Sequence, residues 1–355
     1  MFLKNAKKYN AILISLLIFS ILFFILNKNI YAKTLKETIN EYNFEFNKNN
    51  LDFLNDNLDD SEIFITYSLK ENNIILMQNE NVKINPASIT KIVPCILAIK
   101  NLDLNKKIQI TQNDTEIPNR YVKVPVIPGE TFTVEELLHF ALIPSCNDAT
   151  KALARALNDE KSSYDEKVKE LFKNLNMENT NFTNSYGYAD PNHYTTLSDL
   201  VKLTKYALND KVFLSIISKS YVNIPPYENR TQNIKKTTNK YLLDGKFKDP
   251  NIFGVKTGYN DLSKYCLVSA KNIVVRNKPD KIICIVANQD IEENRYNLSN
   301  KLYSYTEQLL ENKVNTGLKW SNLNPKNLYL NAEQYLAYLV VILIAVLIFK
   351  PRRKQ

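Results

Sequence analysis

The stretch Pro86-Ala87-Ser88-Ile89-Thr90-Lys91 sets a serine and a lysine three residues apart, with no histidine nearby. A serine hydroxyl is a poor nucleophile at neutral pH, and a neighbouring amine activates it only if that amine is itself neutral. Lysine reaches that state when burial disfavours its ammonium form. Three residues of helix put both side chains on one face. A first-turn serine also sits among free N–H groups that favour negative charge. Alone, S-x-x-K is common, and an ordinary helix start is the plain alternative. Two further motifs follow. Ser145-Cys146-Asn147 is an S-x-N at a break between helical stretches, and Lys256-Thr257-Gly258 lies on a strand-like run. Lys256 could equally be a solvated edge lysine.

The elements that must position these residues are legible as periodicities. "SEIFITYSLKENNIILMQ" is two strand-like runs about a Glu71-Asn72-Asn73 turn, which predicts a hairpin. "INPASITKIVPCILAIKNL" predicts a helix with Asn85 as N-cap and Pro86 at its first position. Pro94 then falls two turns into that helix, where it should kink it. From about 130 to 220 the pattern is helical, as in "TVEELLHFALIPSCNDATKALARAL" and "LSDLVKLTKYAL". Strands return in "IFGVKTGY", "YCLVSAKN" and "DKIICIVANQ", and an amphipathic helix, "RYNLSNKLYSYTEQLL", closes the domain. Strands therefore stand at both ends, with a helical block between them.

The net charge of +9 invites a nucleic-acid reading until it is located. Residues 1–32 hold four lysines and no acid; residues 336–355 hold four basic residues and no acid. Without those eight, 38 basic residues face 37 acidic ones. The basicity flanks two apolar runs, a membrane pattern, so no nucleic-acid partner is expected. Residues 1–32 read as a signal peptide or signal anchor, and 33–56 as an N-terminal extension. Residues 57–311 read as the folded domain and 312–334 as a linker. Residues 335–349 form a transmembrane helix and 350–355 a basic cytoplasmic tail, which places the domain outside.

The chain has two histidines. His139 reads as packing in an apolar helix and His193 as structural, which argues against a Ser-His-Asp triad and a histidine zinc site. No metal or cofactor is expected. Four cysteines lack paired spacing and read as free thiols, with Cys146 facing the cleft.

Taken together, S-x-x-K, S-x-N and K-T-G in this order in one exported chain change the odds. The chain resembles the low-molecular-mass penicillin-binding proteins that act as serine-type D-alanyl-D-alanine carboxypeptidases, over about residues 57–310. The resemblance extends to "PGETFTVEELLHFALIPSCNDATKALA", "NSYGYADPNHYTTLSDL" and "FGVKTGYNDLSKYCLVSA". It implies a mixed α/β fold of the β-lactamase/transpeptidase type, an antiparallel sheet flanked by helices with an inserted helical subdomain. It implies Ser88 as nucleophile, with Lys91 and Ser145 moving the proton. It implies Asn147 holding the substrate amide and helping to fix Lys91, and Lys256 and Thr257 binding the terminal carboxylate. Gly258 would let the strand approach substrate, and the N–H groups of Ser88 and Tyr259 would stabilise the oxyanion. Arg295 would orient the last helix, with no part in the chemistry. The substrates would be peptidoglycan stem peptides, with β-lactams as inhibitors. A β-lactamase is the nearest alternative. Class A enzymes use a deacylating glutamate, and the stretch about 35 residues past Ser145, "ENTNF", lacks the E-x-x-L-N pattern. A wall-binding scaffold without activity is the alternative of another class. Many relatives carry a β-rich domain after the catalytic one; residues 312–334 are too few for it.

Overall fold

The computed structural model describes residues 59–117, 126–228 and 230–312. Ile63–Ser68 (β1) and Asn73–Gln78 (β2) pair antiparallel as the hairpin the sequence predicts, with Asn72 at φ 52° in the turn. Ile252–Asn260 (β7), Lys264–Val275 (β8) and Lys278–Gln289 (β9) complete one antiparallel sheet. Its strand order is β2-β1-β9-β8-β7, so β7 forms an edge. Sequence-distant β1 and β9 meet at the centre, in register from Ile63 with Ala287 to Ser68 with Ile282.

Side-chain alternation explains why β9 reads as a nearly unbroken apolar run. Ile283, Ile285 and Ala287 join the main core cluster with Ile63, Ile65, Val268 and Ala270. Ile282, Cys284 and Val286 are equally buried but stand outside that cluster. The last helix, Asn294–Asn312 (α8 below), packs on β8 and β9. Its Tyr303 donates to Ser269 at 2.8 Å and its Thr306 to Thr66 at 2.9 Å, both buried.

The helical block lies in the chain between β2 and β7. It comprises Ile92–Asn101 (α1), Gln112–Thr115 (α2), Val134–Leu142 (α3), Asn147–Ala156 (α4), Tyr164–Asn174 (α5), Leu197–Leu208 (α6) and Lys211–Ile217 (α7). Two small ladders join it, Lys107–Gln109 (β3) with Thr131–Thr133 (β4) and Tyr221–Ile224 (β5) with Asn233–Lys236 (β6). Capping boxes start two helices where the sequence carries Thr or Ser three before Glu: Thr133 with Glu136, and Ser163 with Glu166.

Two details of the Ser88 region differ from expectation. Ala87–Lys91 is a 3₁₀ helix with Pro86 at its N-cap, and the α-helix begins only at Ile92. Asn85 does not cap a helix; its Oδ1 accepts from the Ala87 N–H two residues on, at 3.1 Å. Pro94 is therefore the third residue of α1, just after the 3₁₀ turn, rather than two turns into an α-helix. All four cysteines are free and buried. Among the described residues no helix is long and apolar enough to cross a membrane. The expected signal, N-terminal extension, transmembrane helix and tail lie outside the described residues.

Candidate active site

A 3₁₀ helix has three residues per turn, so positions i and i+3 eclipse. Lys91 Nζ accordingly stands 2.7 Å from Ser88 Oγ. It also donates to the Tyr186 carbonyl at 2.8 Å, and the lysine is fully buried. Burial pushes the Lys91 amine down to about 7, against an opposing pull from Cys146, Cys95 and Asp148. Near neutral pH much of the amine is then uncharged. In its neutral form the amine keeps two N–H bonds and has one lone pair able to accept a proton.

The support of this turn is long-range. Ala87 sits at φ 48°, a strained conformation for a residue with a Cβ. Gly187, at φ 83°, lies against it: a Cβ there would come within 1.8 Å of the Ala87 carbonyl oxygen. The Asn184 Oδ1 holds that loop by accepting from the N–H groups of Gly187 at 2.8 Å and Tyr188 at 2.9 Å. This arrangement presents the Tyr186 carbonyl to Lys91. The N-x-x-G spacing of Asn184 and Gly187 is the one local signal that points to this loop. Asn260 adds a second tie, donating to Asn85 Oδ1 at 2.8 Å and to the Gly187 carbonyl at 3.2 Å.

His193 is structural, as the sequence suggests. Its Nδ1 accepts from the Thr183 N–H at 2.9 Å, so the proton resides on Nε2, 2.8 Å from Thr90 Oγ1. Thr90 donates in turn to the Ala87 carbonyl at 2.7 Å. Burial pushes the imidazole down to about 4, with Asp190 pulling the other way. His139 is not core packing: it is partly exposed and its Nε2 lies 3.2 Å from Lys219 Nζ.

Ser145 adopts φ 67° in the break between α3 and α4. Its Oγ accepts from Lys256 Nζ at 2.8 Å, so it is tied to Lys256 rather than to Lys91. Lys256 is nearly fully buried and also donates to the Thr257 carbonyl at 3.0 Å. Burial, then Lys91 and Arg295, push its ammonium well down. An arriving carboxylate would act in the opposite sense. Asn147 heads α4, and its buried Oδ1 has no partner. It makes no hydrogen bond to Lys91, contrary to expectation; an unpaired buried acceptor suits a donor brought in by substrate. Cys146, expected to face the cleft, belongs to the apolar core with no exposure. Its thiol is pushed well up by burial.

On β7, Thr257 Oγ1 lies 2.6 Å from Thr238 Oγ1. Gly258 allows a close approach, but to the nucleophile turn: a Cβ would stand 2.8 Å from the Pro86 carbonyl oxygen. Tyr259 is half-exposed and stacks on Tyr265 with ring centroids 4.4 Å apart. Arg295 is buried at the start of α8. It donates to the carbonyls of Gly258 and Cys266, both at 3.3 Å, and its Nη2 donates to Glu292 at 2.9 Å. It thus fixes the K-T-G backbone as well as its own helix. The residues missed from sequence are Tyr186, Gly187, Asn260 and Thr238, each held at the site by contacts across tens of residues.

A buried lysine against a serine, a second buried lysine against another serine, and an edge strand carrying that second lysine come together in a mixed α/β fold. The sequence profile of the D-alanyl-D-alanine carboxypeptidases matches residues 58–290. The chain belongs to that family. It is 29% identical over 204 residues to the D-alanyl-D-alanine carboxypeptidase DacF of Bacillus subtilis, covering 56% of this chain and 50% of that one. It is 30% identical over 197 residues to a Streptomyces D-alanyl-D-alanine carboxypeptidase, covering 52% and 66%. The chain thus spans half to two thirds of the length of these relatives. The fold matches a Streptomyces DD-transpeptidase crystal structure with a TM-score of 0.63 at 23% identity, over 70% of this chain and 97% of that one. It also matches the Mycobacterium tuberculosis D-alanyl-D-alanine carboxypeptidase at 0.60 and 23%, over 68% and 89%.

Proposed function

We propose that the protein is a serine-type D-Ala-D-Ala carboxypeptidase that removes the terminal D-alanine from peptidoglycan stem peptides and is acylated by β-lactams. The observation that carries this is Lys91: buried, 2.7 Å from Ser88 Oγ, with its amine pushed down to about 7. Ser88 Oγ attacks the carbonyl of the penultimate D-alanine as its proton passes to Lys91 Nζ. The N–H groups of Ser88 and Tyr259 face the developing oxyanion. The tetrahedral centre collapses, the C–N bond breaks, and the leaving D-alanine amine takes a proton from Lys91. Ser145, whose oxygen accepts from Lys256, relays that proton, giving its own to the amine and taking the one from Lys91 in exchange. Water then hydrolyses the acyl-enzyme. Asn147 Oδ1 accepts the substrate amide N–H, and Lys256 with the Thr257 hydroxyl takes the terminal carboxylate.

A fluorescent penicillin should label Ser88 while a D-Ala-D-Ala peptide loses D-alanine. Ser88→Ala should abolish both and stay folded. Full labelling of Ser88→Ala would remove the nucleophile assignment. Penicillin hydrolysis that outpaces peptide turnover would make the protein a β-lactamase instead.

We further propose that the domain works on the outer face of the cell membrane, tethered by residues 335–349 with the tail in the cytoplasm. The charge pattern of the two ends supports this. Protease added to intact cells should digest residues 59–312 and spare the tail; a protected domain would overturn the topology and its substrate together.

A further inference from the structure

Thr238 lies outside the three motifs, between β6 and β7, and the structure makes it a junction. Its N–H donates to the Ile143 carbonyl, two residues before Ser145, at 3.1 Å. Its carbonyl accepts from the hydroxyl of Tyr296, on α8, at 3.3 Å. Its own hydroxyl stands 2.6 Å from that of Thr257. The neighbouring residues lock the segment: Asn239 Nδ2 donates to the Gly254 carbonyl of β7 at 3.0 Å, and the Thr237 N–H donates to the Ser220 carbonyl at 2.8 Å. Thr238 is thereby held by the S-x-N segment and α8 while it addresses the K-T-G threonine.

A threonine hydroxyl has one proton and two acceptor lone pairs. Left alone, the Thr257 hydroxyl can turn, and its proton can point away from an anion. Either hydroxyl of the pair can be the donor; when Thr238 donates, one lone pair of Thr257 is occupied and its proton must leave in another direction. We propose that Thr238 is a positioning residue for carboxylate recognition: its hydroxyl donates to Thr257 Oγ1 and so aims the Thr257 proton at the terminal carboxylate of the substrate. This rests on the carboxypeptidase reading given above and adds to it a specificity element that no motif contains. The pair acts on binding of the anion, not on acyl transfer, so its effect belongs in KM.

The test compares wild type, Thr238→Val, which keeps the shape and removes the hydroxyl, and Thr238→Ser, which restores it. Each is assayed with an acetylated peptide ending in D-Ala-D-Ala, with its C-terminal amide, and with a fluorescent penicillin, which also carries a carboxylate. Losing one hydrogen bond of this kind corresponds to about three- to tenfold. Thr238→Val should raise KM for the acid by that factor, leave kcat within about twofold, and leave the amide unchanged. Penicillin acylation should slow by the same factor, and Thr238→Ser should recover both. An unchanged acid KM, an equal loss on acid and amide, or no recovery by serine would overturn the proposal. If valine prevents folding, Thr238→Ala takes its place with the same criteria. A wild-type protein that is acylated but releases no D-alanine would refute the carboxypeptidase reading. The acylation arm would then decide the role of Thr238 by itself.

Discussion

Lys91 makes a prediction in two opposite directions. Its amine titrates at about 7 in the folded protein, against 10.5 for an ordinary lysine, and burial is the main cause. Only the neutral amine can accept the Ser88 proton. The second-order rate of acylation by a fluorescent penicillin should therefore be half-maximal near pH 7. It should fall about tenfold for each pH unit below that, and level off by about pH 8. The same shift costs stability. The unfolded chain keeps its proton up to about pH 10.5 and the folded one gives it up near 7. Folding therefore releases a proton between those values, and the burden lightens as pH rises through the window. At pH 7 the burden is about 4 kcal/mol, taking 1.36 kcal/mol per pKa unit. Lys91→Met removes the charge and keeps the volume. It should abolish acylation while leaving the Tm at pH 7 unchanged or higher, as when buried charges are replaced by apolar residues of similar size. Stopped-flow acylation from pH 5 to 9 and thermal melts of both proteins read the two halves. A flat rate profile, a midpoint near 10, or a methionine variant that melts well below wild type would refute the reasoning.

Lys256→Ala should lose about ten- to a hundredfold in kcat/KM on acid D-Ala-D-Ala peptides, from a charge-assisted bond of roughly 1.5–3 kcal/mol, and much less on the amidated peptide. Lys256→Arg should recover only part, because a planar fork does not fit a site shaped for an ammonium. Equal losses on both substrates would make Lys256 a prop for Ser145 alone. His193, pushed down to about 4 by burial, supplies stability that is complete above pH 6.5 and drains away as pH falls towards 4. The loss amounts to about 3 kcal/mol. Denaturant melts of wild type and His193→Gln should converge across that window, and a constant gap would exclude the histidine as its source.

What the sequence discloses here is what is local. Ser88 and Lys91, Ser145 and Asn147, and Lys256 to Gly258 announce themselves because each set lies within four residues. β1, β2 and β9 are legible because their alternation or continuous apolarity reflects the faces they bury. The supporting cast is not legible. Tyr186 reaches Lys91 across 95 residues, and Thr238 meets Thr257 through a segment with no motif. The 3₁₀ character of Ala87–Lys91 was equally hidden, since Pro86 at a helix start reads the same way for either helix. Adjacency to Ser145 in the sequence does not expose Cys146, which is fully buried. With Ser145 in the left-handed region and bonded to Lys256, the next residue joins the core.

The four thiols give the fold a built-in gauge of opening. Each is buried, with burial pushing Cys95 and Cys284 up to about 12, Cys266 up to about 11 and Cys146 well up. Thiolate is the reactive form, and buried structural cysteines are inert. Alkylation therefore awaits unfolding rather than titration. Cys284 lies on central β9 and Cys266 on β8, Cys95 in α1, and Cys146 beside the catalytic break, so they sample different parts of the molecule. The order in which a small alkylating reagent takes them would rank those parts by how often each comes apart. Within the described residues the domain reaches its native state without a cross-link to form or to lose.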